Sequence, residues 1–123
     1  MILQQNSVDI LALSETWLND SWPDAVLTVP GYCCYRRDRS NSTGGGILIY
    51  VKSSLFSQRL AVFESDGLLF EDLYIEFRQP HSSPILFVCI YRPPDSSSSD
   101  FTKKLGADFE KRCQQIQGNT CSW

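Results

Sequence analysis

The apolar positions of this chain fall into short segments that predict strands of two kinds. Residues 8–13 and 85–90 are apolar at almost every position, which is typical of a strand covered on both faces within an α/β sheet. Residues 72–78 instead alternate between apolar and polar side chains, and this predicts a strand with one face in water. We therefore expect a fold built on sheets, with at least two fully covered strands.

Turn-forming residues separate further strands and predict a hairpin. A proline and a glycine precede a strand expected at residues 32–38. The next apolar segment follows the polar connection Ser40–Gly45, so these two strands are expected to form a hairpin with a loop longer than two residues. Another strand is expected at residues 58–63, before the turn that leads into residues 72–78.

The last third of the chain has a helical pattern after a short serine-rich linker that begins at Ser96. Ser98 or Ser99 is the expected N-cap of this helix, and Gly118 is expected to end it. Apolar residues recur every three or four positions and form one stripe, made of Phe101, Leu105, Phe109, Cys113 and Ile116.

Length and composition indicate one globular domain. The chain has 123 residues, of which 42% are hydrophobic and 12% aromatic, enough to bury a core. We therefore treat residues 1–123 as a single domain. No stretch of about 18 apolar residues and no basic segment followed by an apolar one occurs, so neither a membrane span nor a secretory signal is expected. A nuclear or cytoplasmic location, not secretion, follows from this.

The five cysteines favour free thiols over a metal or disulfide framework. They are odd in number and form no CxxC pair, so buried, reduced thiols are the expected state.

Charge limits how the chain could bind nucleic acid. The formal net charge is −3, so any contact with nucleic acid must come from a local basic patch. Arg36, Arg37 and Arg39 form the one such patch.

Two polar residues stand where the fully apolar segments end. Glu15 follows the first of these strands, and Tyr91 follows the last. Ligands of open α/β sheets bind outside the carboxyl ends of strands, so parallel, neighbouring strands would place this carboxylate and this phenol on one rim. A magnesium ion needs only one or two protein carboxylates, so Glu15 could anchor one. The alternative for Glu15 is a solvated strand-end carboxylate or a helix-capping group.

Four motifs occur in a suggestive order: DILALSETWL, GYCCYRRDRSNSTGGGILIYVK, FEDLYIEF, and CIYRPP followed by a helix. In order and spacing they resemble the endonuclease/exonuclease/phosphatase domain, in particular the apurinic-type endonuclease module of non-LTR retrotransposons. The resemblance covers residues 8–117. It implies an α/β fold of the DNase I-like type, a two-sheet sandwich that cleaves a DNA phosphodiester with magnesium.

The resemblance also implies roles for individual residues. Glu15 matches the glutamate that holds the metal, and Tyr91 matches the active-site tyrosine that donates a hydrogen bond to a phosphate oxygen. The hairpin with the three arginines and the glycine loop matches the DNA-facing hairpin, where arginines would grip phosphates. Their alternative is a solvated, charged edge strand, and the alternative for the glycines is a flexible loop. Arg92 could reach the same phosphate or point to solvent. Pro94 stands where apurinic endonucleases have an asparagine.

The chain departs from the family pattern in the residues that would act as the general base in catalysis. Neither the GDFN motif nor the SDH motif occurs, and the one histidine, His81, is expected in a surface loop. General base catalysis by an Asp and a His acting together is therefore not available. We expect an incomplete sandwich, cut at both ends and impaired in catalysis. The alternatives are a non-enzymatic remnant that binds nucleic acid weakly through the arginine hairpin and, less favoured, a phosphatase of the same superfamily. No obligate protein partner is inferred.

Overall fold

The computed structural model describes residues 8–40, 42–94 and 98–120. These residues contain two short helical segments, α1 (Asp24–Leu27) and a 3-10 helix (Ala61–Phe63), and one long helix, α2 (Ser98–Thr120). The strands within them are β1 (Ile10–Ser14), β2 (Tyr32–Arg37), β3 (Ile47–Lys52), β4 (Phe56–Arg59), β5 (Glu71–Arg78) and β6 (Ile85–Tyr91).

The described strands form two three-stranded antiparallel sheets. The first sheet has the order β1-β3-β2, and the second has the order β4-β5-β6. Strands β2 and β3 pair from Tyr32 opposite Lys52 to Arg37 opposite Ile47, which confirms the predicted hairpin with its long loop. The predicted fold class, an α/β fold with two sheets, is confirmed as well.

The core lies between the two sheets and is centred on β3 and β5. Ile47, Ile49 and Val51 point from β3 toward Leu73 and Ile75 of β5, and all five side chains are completely buried. The opposite face of β3 is buried too, by a second cluster of packed side chains made of Val29, Tyr32, Leu48 and Tyr50. Strand β3 is therefore covered on both faces, as the middle strand of its sheet.

The two segments predicted to be fully covered neighbours are instead edge strands of different described sheets. Strand β1 is half-buried to exposed along its length, and β6 is mostly half-buried, with Ile85 exposed. They are not parallel partners, because β1 pairs antiparallel with β3 and β6 pairs antiparallel with β5. An apolar segment shows only which residues its strand contains. How far the faces of that strand are buried depends on the position of the strand in its sheet.

The predicted wet face of residues 72–78 is wrong for most of its length. Tyr74 is 1% exposed and Glu76 is 4% exposed, because β5 is the middle strand and its second face is covered. Phe63 of the 3-10 helix packs against the Tyr74 ring, with 6.2 Å between the ring centroids. Residues 58–63 are therefore not one strand: β4 ends at Arg59, and the chain coils so that Phe63 can cover β5.

Helix α2 starts within the predicted cap region and runs past its predicted end. It begins at Ser98 and continues through Gly118 to Thr120, so this glycine does not end the helix. Phe101 packs edge-on against Phe70, with 5.5 Å between the centroids, and Leu105 is half-buried. The stripe positions beyond it, Phe109, Cys113 and Ile116, lie outside the described side chains. No helix among the described residues has both the length and the apolar character needed to cross a membrane.

The cysteines in the described part are free thiols, but not all are buried. Cys34 and Cys89 are half-buried, and burial raises the pKa of both thiols. Cys33 is exposed, against the prediction, because it points outward from β2. Cys113 and Cys121 lie outside the described side chains.

An ion pair joins the two sheets. Arg37 of β2 donates from Nη1 to Oδ1 of Asp72 in β5 at 2.7 Å, and the Asp72 carboxylate is fully buried. The same carboxylate oxygen accepts the backbone N–H of Ser65 at 2.8 Å. These bonds satisfy a charge that would otherwise be costly to bury.

Asp72→Ala is therefore expected to lower the free energy of unfolding by about 3 kcal/mol, since Arg37 then keeps only the longer pair with Glu64, at 3.8 Å, in a mostly buried site. Urea denaturation measures this change. The matched control is Asp108→Ala, which removes a surface pair with Lys104 one helical turn away and should cost less than about 0.5 kcal/mol. Equal losses in the two variants would contradict a special role for the pair between the sheets.

Candidate active site

Glu15 and Tyr91 meet at an edge of the molecule. Glu15 follows β1 of the first sheet, and Tyr91 is the last residue of β6 in the second sheet. The Tyr91 hydroxyl donates a hydrogen bond to Oε1 of Glu15, across 76 positions of sequence, and the pair is open to solvent. The predicted juxtaposition is thus present, although it arises between edge strands of two sheets and not between parallel neighbours. The catalytic roles of the two residues stay predictions.

The segment that carries Glu15 has an unusual backbone. Glu15 and Trp17 have φ angles of 56° and 58°, in the left-handed region that residues other than glycine seldom adopt. Backbone hydrogen bonds hold this conformation, from the Trp17 N–H to the Gly45 carbonyl at 2.9 Å and from the Thr16 N–H to the Gly46 carbonyl at 3.4 Å. Such backbone conformations cluster at functional sites, where the surrounding structure imposes them.

The glycine loop is packed closely against this segment. A Cβ atom on Gly46 would lie 2.4 Å from Oγ1 of Thr16, and one on Gly45 would lie 2.4 Å from the guanidinium of Arg39. Both glycines are buried and have positive φ angles. The glycines therefore permit close approach of neighbouring groups, and the alternative of a merely flexible loop does not describe them.

Glu71 links this loop to the strand pair that carries Tyr91. Its buried carboxylate accepts the Gly46 N–H at 2.7 Å and Nε of Arg39 at 2.8 Å. In the β5–β6 register Glu71 is directly opposite Tyr91, so its position depends on the same strands. The sequence analysis did not single out Glu71 as a site residue. The available signal was a pair of adjacent acidic residues, Glu71 and Asp72, at the start of a predicted strand.

Tyr91 is protonated at neutral pH, with a pKa above its ordinary value. The hydrogen bond to Glu15 is the main cause, and the negative charges of Glu15 and Glu71 act in the same direction, whereas Arg39 opposes them. The phenol is therefore a hydrogen-bond donor over the physiological pH range.

The three arginines of the hairpin are bound within the fold by carboxylates. Arg36 pairs with Asp24 and Asp38, at 3.0 and 2.6 Å, and Arg39 pairs with Glu71 at 2.6 Å. With Arg37 on Asp72, the side-chain exposures of the three arginines are only 16%, 17% and 21%. They are therefore not a solvated edge, and their binding of phosphate stays a prediction.

Arg92 differs from these arginines, because it is exposed. Its guanidinium lies 5.6 Å from the centre of the Phe101 ring, in a cation–π contact. The side chain follows Tyr91 in sequence and rests on an aromatic ring.

Comparison with known protein families identifies the family of this chain. Residues 1–109 match the sequence model of the endonuclease/exonuclease/phosphatase family. The chain belongs to this family. No curated protein and no solved structure matches it. Members of the endonuclease/exonuclease/phosphatase family are hydrolases of the nuclease and phosphatase type, and they generally use a divalent metal.

The donor atoms at the site suit the hard divalent cations of this family. Glu15 offers an exposed carboxylate, and hard cations such as Mg²⁺ prefer oxygen ligands and often take only one or two from protein carboxylates. Glu71 is already engaged by Arg39 and Gly46. Within the described ranges no group of three or more His, Cys, Asp and Glu residues could share a metal ion. The exposed carboxylate of Glu15 is thus the donor at this site that could hold a divalent cation.

Gly46→Ala is expected to lower the free energy of unfolding by more than about 1 kcal/mol, because its new methyl group would collide with Thr16 and the left-handed backbone would be strained. Gly106→Ala is the matched control: it lies in α2, and nothing lies within 4 Å of its Cβ position, so a gain of about 0.5 to 1 kcal/mol is expected. Urea denaturation compares both. A Gly46→Ala variant as stable as wild type would contradict the packing described for this loop.

Glu15→Gln is expected to lower the pKa of Tyr91 toward its ordinary value of 10.0, because it removes the negative charge that disfavours the phenolate. The raised pKa means that the contact stabilises the folded state below pH 10.0 and that this stabilisation is lost as the pH rises through the raised value.

A spectrophotometric titration of phenolate absorbance measures this shift. The chain has five tyrosines, so the difference between wild type and Glu15→Gln is the informative curve. Glu110→Gln, an exposed position in α2, is the control and should leave the titration unchanged. Identical curves for wild type and Glu15→Gln would show that the two side chains do not interact in solution.

Proposed function

We propose that this chain is an endonuclease-type domain of the kind found in non-LTR retrotransposons, acting on DNA with magnesium. The observation that carries the proposal is the contact between Tyr91 and Glu15, in which the backbone of Glu15 is held in the left-handed region. The proposed setting is nuclear or cytoplasmic, where DNA or nascent copies of it are present.

In the proposed chemistry each of the two residues has one task. Glu15 would hold the magnesium ion, which when bound supplies positive charge to polarise the scissile phosphate and stabilise the leaving oxygen. Tyr91 donates its hydroxyl hydrogen bond to a phosphate oxygen, which then replaces Glu15 as the acceptor. Because a tyrosine phenol ionises only at about pH 10, the hydroxyl keeps its proton at neutral pH, and a donor placed where charge develops stabilises the transition state.

Hydrolysis by these residues is proposed to be slow. The sequence contains neither a GDFN nor an SDH motif, so the usual family groups that orient and deprotonate the attacking water are not supplied by it. His81 does not replace them: it lies in the exposed β5–β6 loop, at the opposite end of β6 from Tyr91. A strand of seven residues spans about 20 Å, too far for proton transfer.

The observed ion pairs favour this proposal over a binding remnant that depends on the arginine hairpin. Arg36, Arg37 and Arg39 each already have a carboxylate partner, and a phosphate would have to displace it. Arg92 is exposed and adjoins Tyr91, so it is the proposed phosphate contact. A phosphatase activity on a small substrate has no observation in its favour.

Binding of Mn²⁺, a paramagnetic substitute for magnesium, is the first test. Wild type is expected to bind Mn²⁺, Glu15→Gln to lose binding at least tenfold, and Tyr91→Phe to keep it, since the phenol is assigned to phosphate and not to the metal. Electron paramagnetic resonance of free Mn²⁺ reports the affinity, with Glu110→Gln as the control. Equal affinity for Mn²⁺ in wild type and Glu15→Gln would show that Glu15 does not hold the metal.

Nicking of supercoiled plasmid is the second readout of the same proposal. Weak nicking that requires magnesium and stops on chelation is expected, and both Glu15→Gln and Tyr91→Phe should reduce it by about 100-fold, or to background, in line with the loss of a single transition-state donor. Nicking that persists unchanged in Glu15→Gln would assign the activity to another site or to a contaminant.

A further inference from the structure

A groove lies beside the Glu15 segment. It is enclosed by residues 17–20 on one side and by the hairpin connection, residues 38–44 without residue 41, on the other, and its volume is about 810 Å³. This volume is within the range of sites that enclose a small organic group. Its most prominent wall is the indole of Trp17, which is 63% exposed.

The Trp17 indole is held in place although it faces solvent. Its backbone has a φ of 58° and donates to the Gly45 carbonyl at 2.9 Å. The indole lies against Gly44, where a Cβ atom would be 3.4 Å from the ring. A large aromatic face that is exposed and also fixed loses little entropy when another ring stacks on it.

The charges of the groove select against a phosphate as its occupant. Asp20 and Asp38 both line it; Asp38 is paired with Arg36, and Asp20 adds a second carboxylate to the wall. Arg39 also lines it, but its guanidinium is bound to Glu71 and to the Thr43 carbonyl. A neutral aromatic ring with polar edges suits such walls, since it can stack on indole while its N–H groups donate to the oxygens.

The groove is also close to the proposed site of phosphate binding. Trp17 is two residues from Glu15, a distance of at most about 7 Å along the chain. A phosphate at Glu15 and a ring on Trp17 could therefore belong to the same or to adjacent nucleotides.

We propose that this groove binds an unstacked base of single-stranded DNA, with Trp17 as its stacking platform, next to the scissile phosphate. The inference rests on the proposed function for its choice of DNA, and it adds a preference for unpaired substrate. Trp17 is assigned to substrate binding and takes no part in proton transfer or metal binding.

The test compares two fluorescein-labelled DNA decamers of equal charge by fluorescence anisotropy at low salt, with chelator present. One decamer carries bases throughout, and the other has abasic residues in the middle. Wild type is expected to bind the base-bearing decamer about 5- to 100-fold more tightly, the range for stacking of one base on an aromatic side chain. Equal affinity for the two decamers would overturn the proposal without any variant.

Variants then test whether Trp17 is responsible for the preference for the base-bearing decamer. Trp17→Ala should abolish the difference between the decamers, and Trp17→Phe, which keeps a stacking face, should restore part of it. Trp22→Ala is the matched control, because Trp22 is 48% exposed but does not line the groove, and it should behave as wild type. An undiminished preference in Trp17→Ala, or an equal loss in Trp22→Ala, would overturn the assignment to this groove.

The chelator separates this test from that of the proposed function. Base discrimination that survives without metal supports the groove even if no nicking is found. Conversely, nicking that depends on Glu15 in a protein that does not distinguish the two decamers would leave the endonuclease proposal standing and remove the base site.

Discussion

The buried carboxylate of Glu71 is the group on which the candidate site depends. It belongs to the second sheet, yet it accepts hydrogen bonds from Arg39 and Gly46 in the hairpin of the first sheet. Through Gly46 and its neighbour Gly45 it holds the loop to which the Thr16 and Trp17 backbone is bonded. Tyr91 lies opposite Glu71 in the adjacent strand. A single buried anion therefore sets the positions of both sides of the Glu15 and Tyr91 contact.

The arginines of the hairpin have a structural role that their clustering does not reveal. Each of them meets at least one carboxylate, and two of those carboxylates, Asp72 and Glu71, are buried. A buried carboxylate without a partner is strongly unfavourable, so Arg37 and Arg39 offset the cost of burying Asp72 and Glu71. The local basic patch is thereby neutralised inside the protein. Arg92, which follows Tyr91 in sequence, is instead exposed and stacks on Phe101.

The two proposed sites share the segment after β1. Its two left-handed residues are Glu15 and Trp17. The Glu15 carboxylate meets Tyr91, and the Trp17 indole borders the groove. Backbone bonds to the glycine loop fix both at once. The proposed nuclease would need a phosphate and its neighbouring base to be positioned together, since small displacements of a reacting group greatly reduce the rate. A short, strained segment anchored at two points meets this need with few residues.

The sequence by itself determined the family, the hairpin, and the placement of Glu15 and Tyr91 at strand ends, because motif order and hydrophobic period are local properties of the chain. It did not predict that β1 and β6 are edge strands, that Tyr74 and Glu76 are buried, or that Glu71 organises the site. Only the tertiary structure decided these points. Coverage of a strand face and the partner of a charge depend on residues distant in sequence, as with Arg37 and Asp72, which are 35 positions apart. A pattern within one segment carries no information about which distant segment will pack against it.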